Sequence, residues 1–506
     1  MGKKKSVVLI VLFTLALAAL LFLCFAPAFP VQDGIGSYRS MIKWVKQGSD
    51  LDGGYYSVYY PEGVISKEEY ETLVVEYAYA QEEAEETGEP SDLEDPAANY
   101  KAYKGLYLST DIYSEETGVS QSFQDEFAKA FRAVRARYED MGYSDYSVRL
   151  QDDYAIRVEI PKPEDDAGTG VNATAQSIFE TFASSGGLIF SDSDSTVASK
   201  NVLMEGTSRY IERASVGNNP SGSGYAVVLH FTKEGRQRFA EITAELASSA
   251  SDGSTATLYV YVGDDQLMGA GVEGELNQDT VSISGQYTTR ESAAADAAVI
   301  NSVLDEDDVF DLKFEAPEYY SMTPTSGDYT ALAAAIAFGV LVLGMLVFSL
   351  VKYKGMGLAH LYGFLTFILA LILCLALIPG IEVTTGGILA ITLVSAIMVS
   401  CNYFAFGNIK KEFATGKTLT ASVKAGYKKS MAFTIDVHII LFLASLAMYL
   451  IATGTVKFLA LIFTLGIVAS AACTLAVTRF CLYVFMAQPK NKIAFVGFKR
   501  EETEDE

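Results

Sequence analysis

Ala331-Leu-Ala-Ala-Ala-Ile-Ala-Phe-Gly-Val-Leu-Val-Leu-Gly-Met-Leu-Val-Phe-Ser-Leu-Val351 is followed at once by Lys352-Tyr353-Lys354. The run contains no charge and no polar stripe. A helix on the surface of a soluble domain keeps one polar face, and this one has none. At about 1.5 Å per residue it reaches about 31 Å, enough to cross a hydrocarbon layer about 30 Å thick. The stretch therefore reads as a transmembrane helix with a cationic end.

Working outward, five more runs share that character. One precedes it, from Ser6 to about Ala28, behind Lys3, Lys4 and Lys5. Its length exceeds the roughly 7–15 residues of a signal-peptide core, so residues 1–28 read as a retained anchor. Four follow, at about Leu358–Ile378, Gly387–Phe406, Met431–Ile451 and Phe458–Phe485. Lys410, Lys411, Lys417, Lys424, Lys428 and Lys429 lie between the fourth and fifth runs, and Lys490, Lys492, Lys499 and Arg500 lie in the tail. The alternate connections carry only Lys457. Positive charge stays on the cytoplasmic side, which places both termini there and the region 29–328 outside. The expected organisation is an anchor (1–28), an extracytoplasmic domain (29–328), a five-span bundle (329–487) and a cytoplasmic tail (488–506).

Charge supports that division. The chain holds 62 acidic and 38 basic residues, yet its mean hydropathy is +0.22. Residues 29–328 carry 54 acidic and 21 basic residues, and the remainder carries 8 and 17. So acidic a domain repels nucleic-acid phosphates, and no nucleic-acid partner is expected. All five cysteines fall in apolar runs and lack metal or redox spacing. No phosphate loop, nucleophile elbow or His-rich cluster is present, so neither an enzyme nor a metal or cofactor site is expected.

The outer domain reads as α+β. Tyr154–Ile160, Tyr225–Phe231 and Val281–Gly285 have strand composition. Thr257–Gly263 and Gln266–Val272 read as a hairpin across Gly263-Asp264-Asp265. Thr232 is expected to cap a helix over Lys233–Leu246, and Thr288-Thr-Arg-Glu291 reads as a capping box opening another. Segment 62–125 differs in composition, and its acidic middle, about 80–98, reads as a mobile loop.

Several blocks in order carry a family resemblance. Gly48-Ser-Asp50-Leu-Asp-Gly53-Gly54 is similar to a Gly-Leu-Asp-Leu-x-Gly-Gly pattern. Tyr154–Pro161, Val202–Gly206, Phe231–Gly235 and Ser282–Gly285 match further blocks. In the membrane half, Asn402–Glu412, Ala425-Gly-Tyr427, Thr453–Lys457 and Ile467–Arg479 do the same. The chain resembles the SecD/SecF family of protein-export accessories, within the resistance-nodulation-division superfamily. The resemblance implies a six-span α-helical membrane bundle plus an α+β extracytoplasmic domain with ferredoxin-like units. It also implies a bacterial cell membrane location, a SecF-like partner, the Sec channel, exported unfolded polypeptides as clients, membrane lipid as surroundings, and use of the proton gradient. The family's proton-site Asp, in a "VDAN" segment, is replaced by Ser400, which cannot titrate.

Asp436 in the fifth span matches the Asp of the family's "FDAN" segment. A carboxylate at bilayer depth is costly and is usually retained for function. Asp436 reads either as a relay or partner for a charge on the second subunit, or as a neutral carboxyl near the inner interface. His438 titrates in the physiological range, but two residues on from Asp436 it points to another helix face. Asn402 and Ser400 read as helix-packing polar groups, and Arg479 as an interfacial one. Dropping the pump leaves a second function: an extracytoplasmic holdase or scaffold.

Overall fold

In the computed structural model the described residues run from 3 to 487 and from 492 to 497, apart from 28, 33–35, 39, 144, 164–172, 198, 221, 223, 250–254, 316, 379–380, 453 and 491. They form two units, residues 1–53 with 323–506 and residues 54–322.

Among the described residues the first unit holds six helices long and apolar enough to cross a membrane. The first three are Lys3–Phe25, Thr330–Tyr353 and Gly355–Leu377. The fourth and fifth are Thr385–Ala414 and Leu419–Ile451. The sixth runs Gly454–Ala472, widens into a π-helical turn at Cys473–Thr478, and ends as Arg479–Phe485. The second and third spans meet at Lys354, whose φ of +45° makes the reversal abrupt. The basic stretch after Phe406, expected as a polar connection, is helical except for 415–418. Propensity and packing win there: the fourth span is 30 residues, about 45 Å, and overshoots the hydrocarbon layer. Small residues allow close helix approach. A Cβ on Gly426 would sit 2.6 Å from the Ile409 backbone, and one on Gly363 would sit 2.1 Å from the Thr478 hydroxyl.

The second unit is built on a four-stranded antiparallel sheet ordered Tyr319–Met322, Gly54–Tyr59, Ala155–Pro161, Ser147–Gln151. Helices Gln121–Met141 and Ala173–Ala183 complete it. In chain order this is β-α-β-β-α-β with the last strand beside the first, the ferredoxin-like arrangement. Phe123, Phe127, Val134 and Tyr138 of the long helix join Tyr59, Ile156, Val158 and Ile160 of the sheet in one core. Gly54 has no room for a side chain: a Cβ there would lie 2.1 Å from the Ile160 carbonyl oxygen.

Two segments interrupt that unit. Between its last helix and last strand lies a head with a four-stranded and a three-stranded sheet and helices Lys233–Ser249 and Arg290–Ser302. The strands Ala256–Val262, Asp265–Val272 and Thr280–Tyr287 and the Thr232 cap of Gly235 follow the sequence reading. The second cap is shifted by one: Thr289, not Thr288, accepts from the Ser292 amide.

Between the first strand and first helix lies a small antiparallel sheet ordered Val64–Ser66, Leu106–Ser109, Tyr100–Tyr103. It carries a helix over Lys67–Thr87. The acidic stretch read as a loop at 80–98 is thus helical to Thr87 and again at Pro96–Asn99. Low hydrophobicity hid the helix, while its Ser66 and Gly88 caps were legible.

Candidate functional site

The polar groups of the bundle collect along the contact of the fourth, fifth and sixth spans. His438 is buried. Its Nδ1 lies 2.7 Å from the Thr434 carbonyl oxygen and its Nε2 lies 3.0 Å from the Ser470 hydroxyl. A carbonyl only accepts, so Nδ1 carries the proton, and in the neutral ring Nε2 accepts from Ser470. Further pairs continue along the same line. Thr464 donates to Ser445 at 2.8 Å, and the Asn402 amide donates to the Met398 carbonyl at 2.9 Å and to Thr474 at 3.4 Å. Asn408 donates to Ser430 at 3.0 Å. The Asn402 carbonyl oxygen is buried without a partner.

Arg479 ends the line. Its guanidinium lies 5.5 Å from the Tyr427 ring and 5.9 Å from the Tyr483 ring. With Ser430, Thr434 and Thr474 it borders a small cavity. Among the described residues no carboxylate lies within ion-pair distance of it. The π-helical turn between Thr474 and Arg479 inserts extra width where the cavity opens, a distortion often found at functional sites.

Asp436 is not on this line. It is exposed, on the other side of its helix from His438. The fourth and fifth spans run antiparallel, with Gly426 against Ile409, Asn408 bonded to Ser430 and Phe404 against Phe433 at 4.7 Å. Continued by one turn, that register brings Ser400 level with Asp436, and Ser400 is exposed too. The replaced position and the retained carboxylate therefore share one otherwise apolar face with Phe404, Phe433 and Ile440.

The glycine-rich motif has a structural job. Gly48 donates to the Val383 carbonyl at 3.0 Å, and Lys46-Gln47 pairs in parallel with Glu382-Val383. The Asp50 carboxylate accepts from the Thr385 amide at 2.7 Å, at the first turn of the fourth span. An anion is favoured at that positive helix end. The Asp50 carbonyl also accepts from Ser326 at 3.1 Å. Gly53 takes φ +73° to end the motif, a conformation that favours glycine.

The second unit contains a cavity of about 840 Å³ lined by Glu180, Thr181, Tyr259, Asp265, Tyr287 and Asp296 among others. Asp296 is buried and accepts from the Tyr287 hydroxyl. Burial pushes its carboxyl up to about 7 against the hydrogen bonds that oppose it. Nearby, Arg137 is fully buried and donates to the Phe182 and Ser184 carbonyls at 2.8 and 2.7 Å and to Ser302 at 2.9 Å. Burial draws its guanidinium down to about 10, still charged at neutral pH.

The sequence reading named Asp436 and the Ser400 position separately, without placing them on one face, and missed Ser470, Thr474, Ser445 and Thr464. For those on the sixth span, the spacing 464, 470, 474, with Thr478 next, was the available signal. Asp296 and Arg137 carried none, because their roles depend on contacts far apart in the chain.

A family model described as "SecDF, P1 head subdomain" matches residues 182–302. The chain is 24% identical over 374 residues to the protein translocase subunit SecD of Acidaminococcus fermentans, covering 73% of this chain and 82% of that one. It is 26% identical over 280 residues to the SecD of a Synechocystis strain, covering 55% and 58%. A crystal structure of SecDF in a super-membrane-facing form superposes with a TM-score of 0.53 at 18% identity, covering 96% of this chain and 58% of the other. The chain thus spans little more than half of two of these three relatives, and the superposition carries the fold.

Proposed function

We propose that the chain, which is similar to the SecD of Acidaminococcus fermentans and matches the SecDF P1 head model over residues 182–302, is a SecD/SecF-family accessory subunit of the Sec protein-export translocase that works with a SecF-like subunit. In this reading it helps move or release polypeptides on the outer side of the membrane with energy from the proton gradient. The observation that carries the pairing is Asp436, a carboxylate exposed on an otherwise apolar face of a transmembrane helix. Facing lipid it would cost several kcal/mol, roughly 3 on insertion scales; facing a partner's polar or cationic group it is stabilised. The positive-inside pattern supports cytoplasmic termini and an extracytoplasmic second unit.

Within that reading the proton passes on the Asp436 side, where partner and chain meet. His438 holds a proton on Nδ1 toward Thr434 and offers Nε2 to Ser470, so a proton arriving at Nε2 gives an imidazolium. The alternative is a non-pumping holdase or scaffold of the same complex. The hydroxyl at Ser400, level with Asp436, favours it, because a second titrating group is missing from that face.

Proton flux in vesicles containing this chain and its SecF-like partner separates the two. Flux in wild type that Asp436→Asn abolishes supports the pump. Silence in wild type, with flux gained by Ser400→Asp, supports the holdase.

A further inference from the structure

The helix Lys67–Thr87 is out of balance with its surroundings. Its ends are well specified. The Ser66 hydroxyl accepts from the Glu69 amide at 3.1 Å, Gly88 closes it at φ +74°, and Tyr70 stacks on Tyr107 with centroids 3.7 Å apart. Yet none of its 21 residues is buried.

Its middle, Leu73-Val-Val-Glu-Tyr-Ala-Tyr-Ala80, is apolar but for Glu76. Tyr70, Leu73, Tyr77 and Ala84 are half-buried and share one face. Val74, Val75, Ala78 and Tyr79 form another, and Val74, Val75 and Tyr79 are 39%, 53% and 69% exposed. A helix apolar on two faces is built for two neighbours, and one is present.

The charge is also unbalanced. Residues 67–95 carry twelve acidic side chains and one basic, Lys67. Glu82, Glu83, Glu85 and Glu86 sit in the last two turns with no basic residue in the last turn. They face the negative end of the helix dipole, and the pair 82/86 repels at i,i+4.

One occupant relieves both. We propose that the Val74–Tyr79 face, flanked by Glu71, Glu82 and Glu86, docks a cationic amphipathic helix of a protein partner. The partner's apolar stripe covers Val75 and Tyr79, and its Lys or Arg residues reach the flanking glutamates. A second copy of this chain would bring the same twelve carboxylates, and an anionic lipid surface would be repelled likewise. The inference does not depend on proton transport.

The test uses the full chain in nanodiscs of zwitterionic lipid, with empty nanodiscs as blank. The probe is a labelled 18-residue peptide with Leu and Lys at helical spacing, and its Leu/Glu counterpart is the control. The expected result is saturable anisotropy for the Leu/Lys peptide only, weakening steeply with salt. Val75→Asp with Tyr79→Ser, and separately Glu82→Gln with Glu86→Gln, should each weaken binding at least tenfold. Their circular dichroism should match wild type, since none of these residues is buried. Equal binding of both peptides, salt-independent binding, variants that bind as tightly as wild type, or a dimer of the chain abolished by Val75→Asp would each overturn the proposal.

Discussion

The two units differ in the largest polar groups they bury. In the bundle several small neutral ones pair across spans, Ser445 with Thr464, His438 with Ser470 and Asn402 with Thr474, while both ring nitrogens of the buried His360 have no partner among the described residues. The sheet-rich unit also buries small hydroxyls such as Ser57 and Thr243, but its core adds the ionisable Arg137 and Asp296. Arg137 gathers two carbonyls and Ser302, and Asp296 joins Tyr287. The contrast follows from the reference state. A span that loses one polar contact in lipid finds another, so each pair is worth little. A soluble core that loses a charged donor strands carbonyls that water had solvated in the unfolded chain.

The largest break in this comparison is Arg137→Ala. Three charge-assisted hydrogen bonds vanish and buried carbonyls lose their donor, so the second unit should lose about 4 kcal/mol, read by hydrogen exchange across the Gln121–Met141 helix. A loss below about 1 kcal/mol would mean that the guanidinium is not the clamp.

Next is pH. Asp296 has a folded value of about 7, above its unfolded value of about 3.9. The native state therefore holds the proton more tightly. Stability is highest below about pH 4 for this group alone, declines as pH rises, and levels off above about pH 7. The decline should total about 4 kcal/mol, at about 1.36 kcal/mol per unit of pKa difference. Asp296→Asn should flatten that part of the profile; an unchanged slope would assign it to other groups.

The smallest effect belongs to the bundle. Ser445→Ala should cost about 0.6 kcal/mol in detergent unfolding, the average for such bonds. A cost above 2 kcal/mol would erase the contrast between the units.

The same contrast explains what could be read from sequence. The spans were legible because twenty uncharged residues have one explanation, and strands such as Tyr225–Phe231 because alternation and turn residues agree. The partners of His438 were not, because a serine in a span reads the same whether it bonds its own helix or the next. The helix at 67–87 was hidden for another reason. Its glutamates resemble a solvated loop, and only the caps at Ser66 and Gly88 argued otherwise. Asp50 was found as a motif letter, but its contact with the Thr385 amide needed a residue 335 positions away.

The ferredoxin-like sheet also sets a timetable. Its first strand ends at Tyr59 and its neighbour Tyr319–Met322 is made last. At roughly 5–20 residues per second, about 260 residues pass in about 13–50 s before that edge can close. The head, complete at Ser302, precedes that strand by only 17 residues, about 1–3 s, so head and base are finished almost together. The newborn chain thus carries an unpaired strand edge at Gly54–Tyr59 until synthesis reaches Tyr319–Met322.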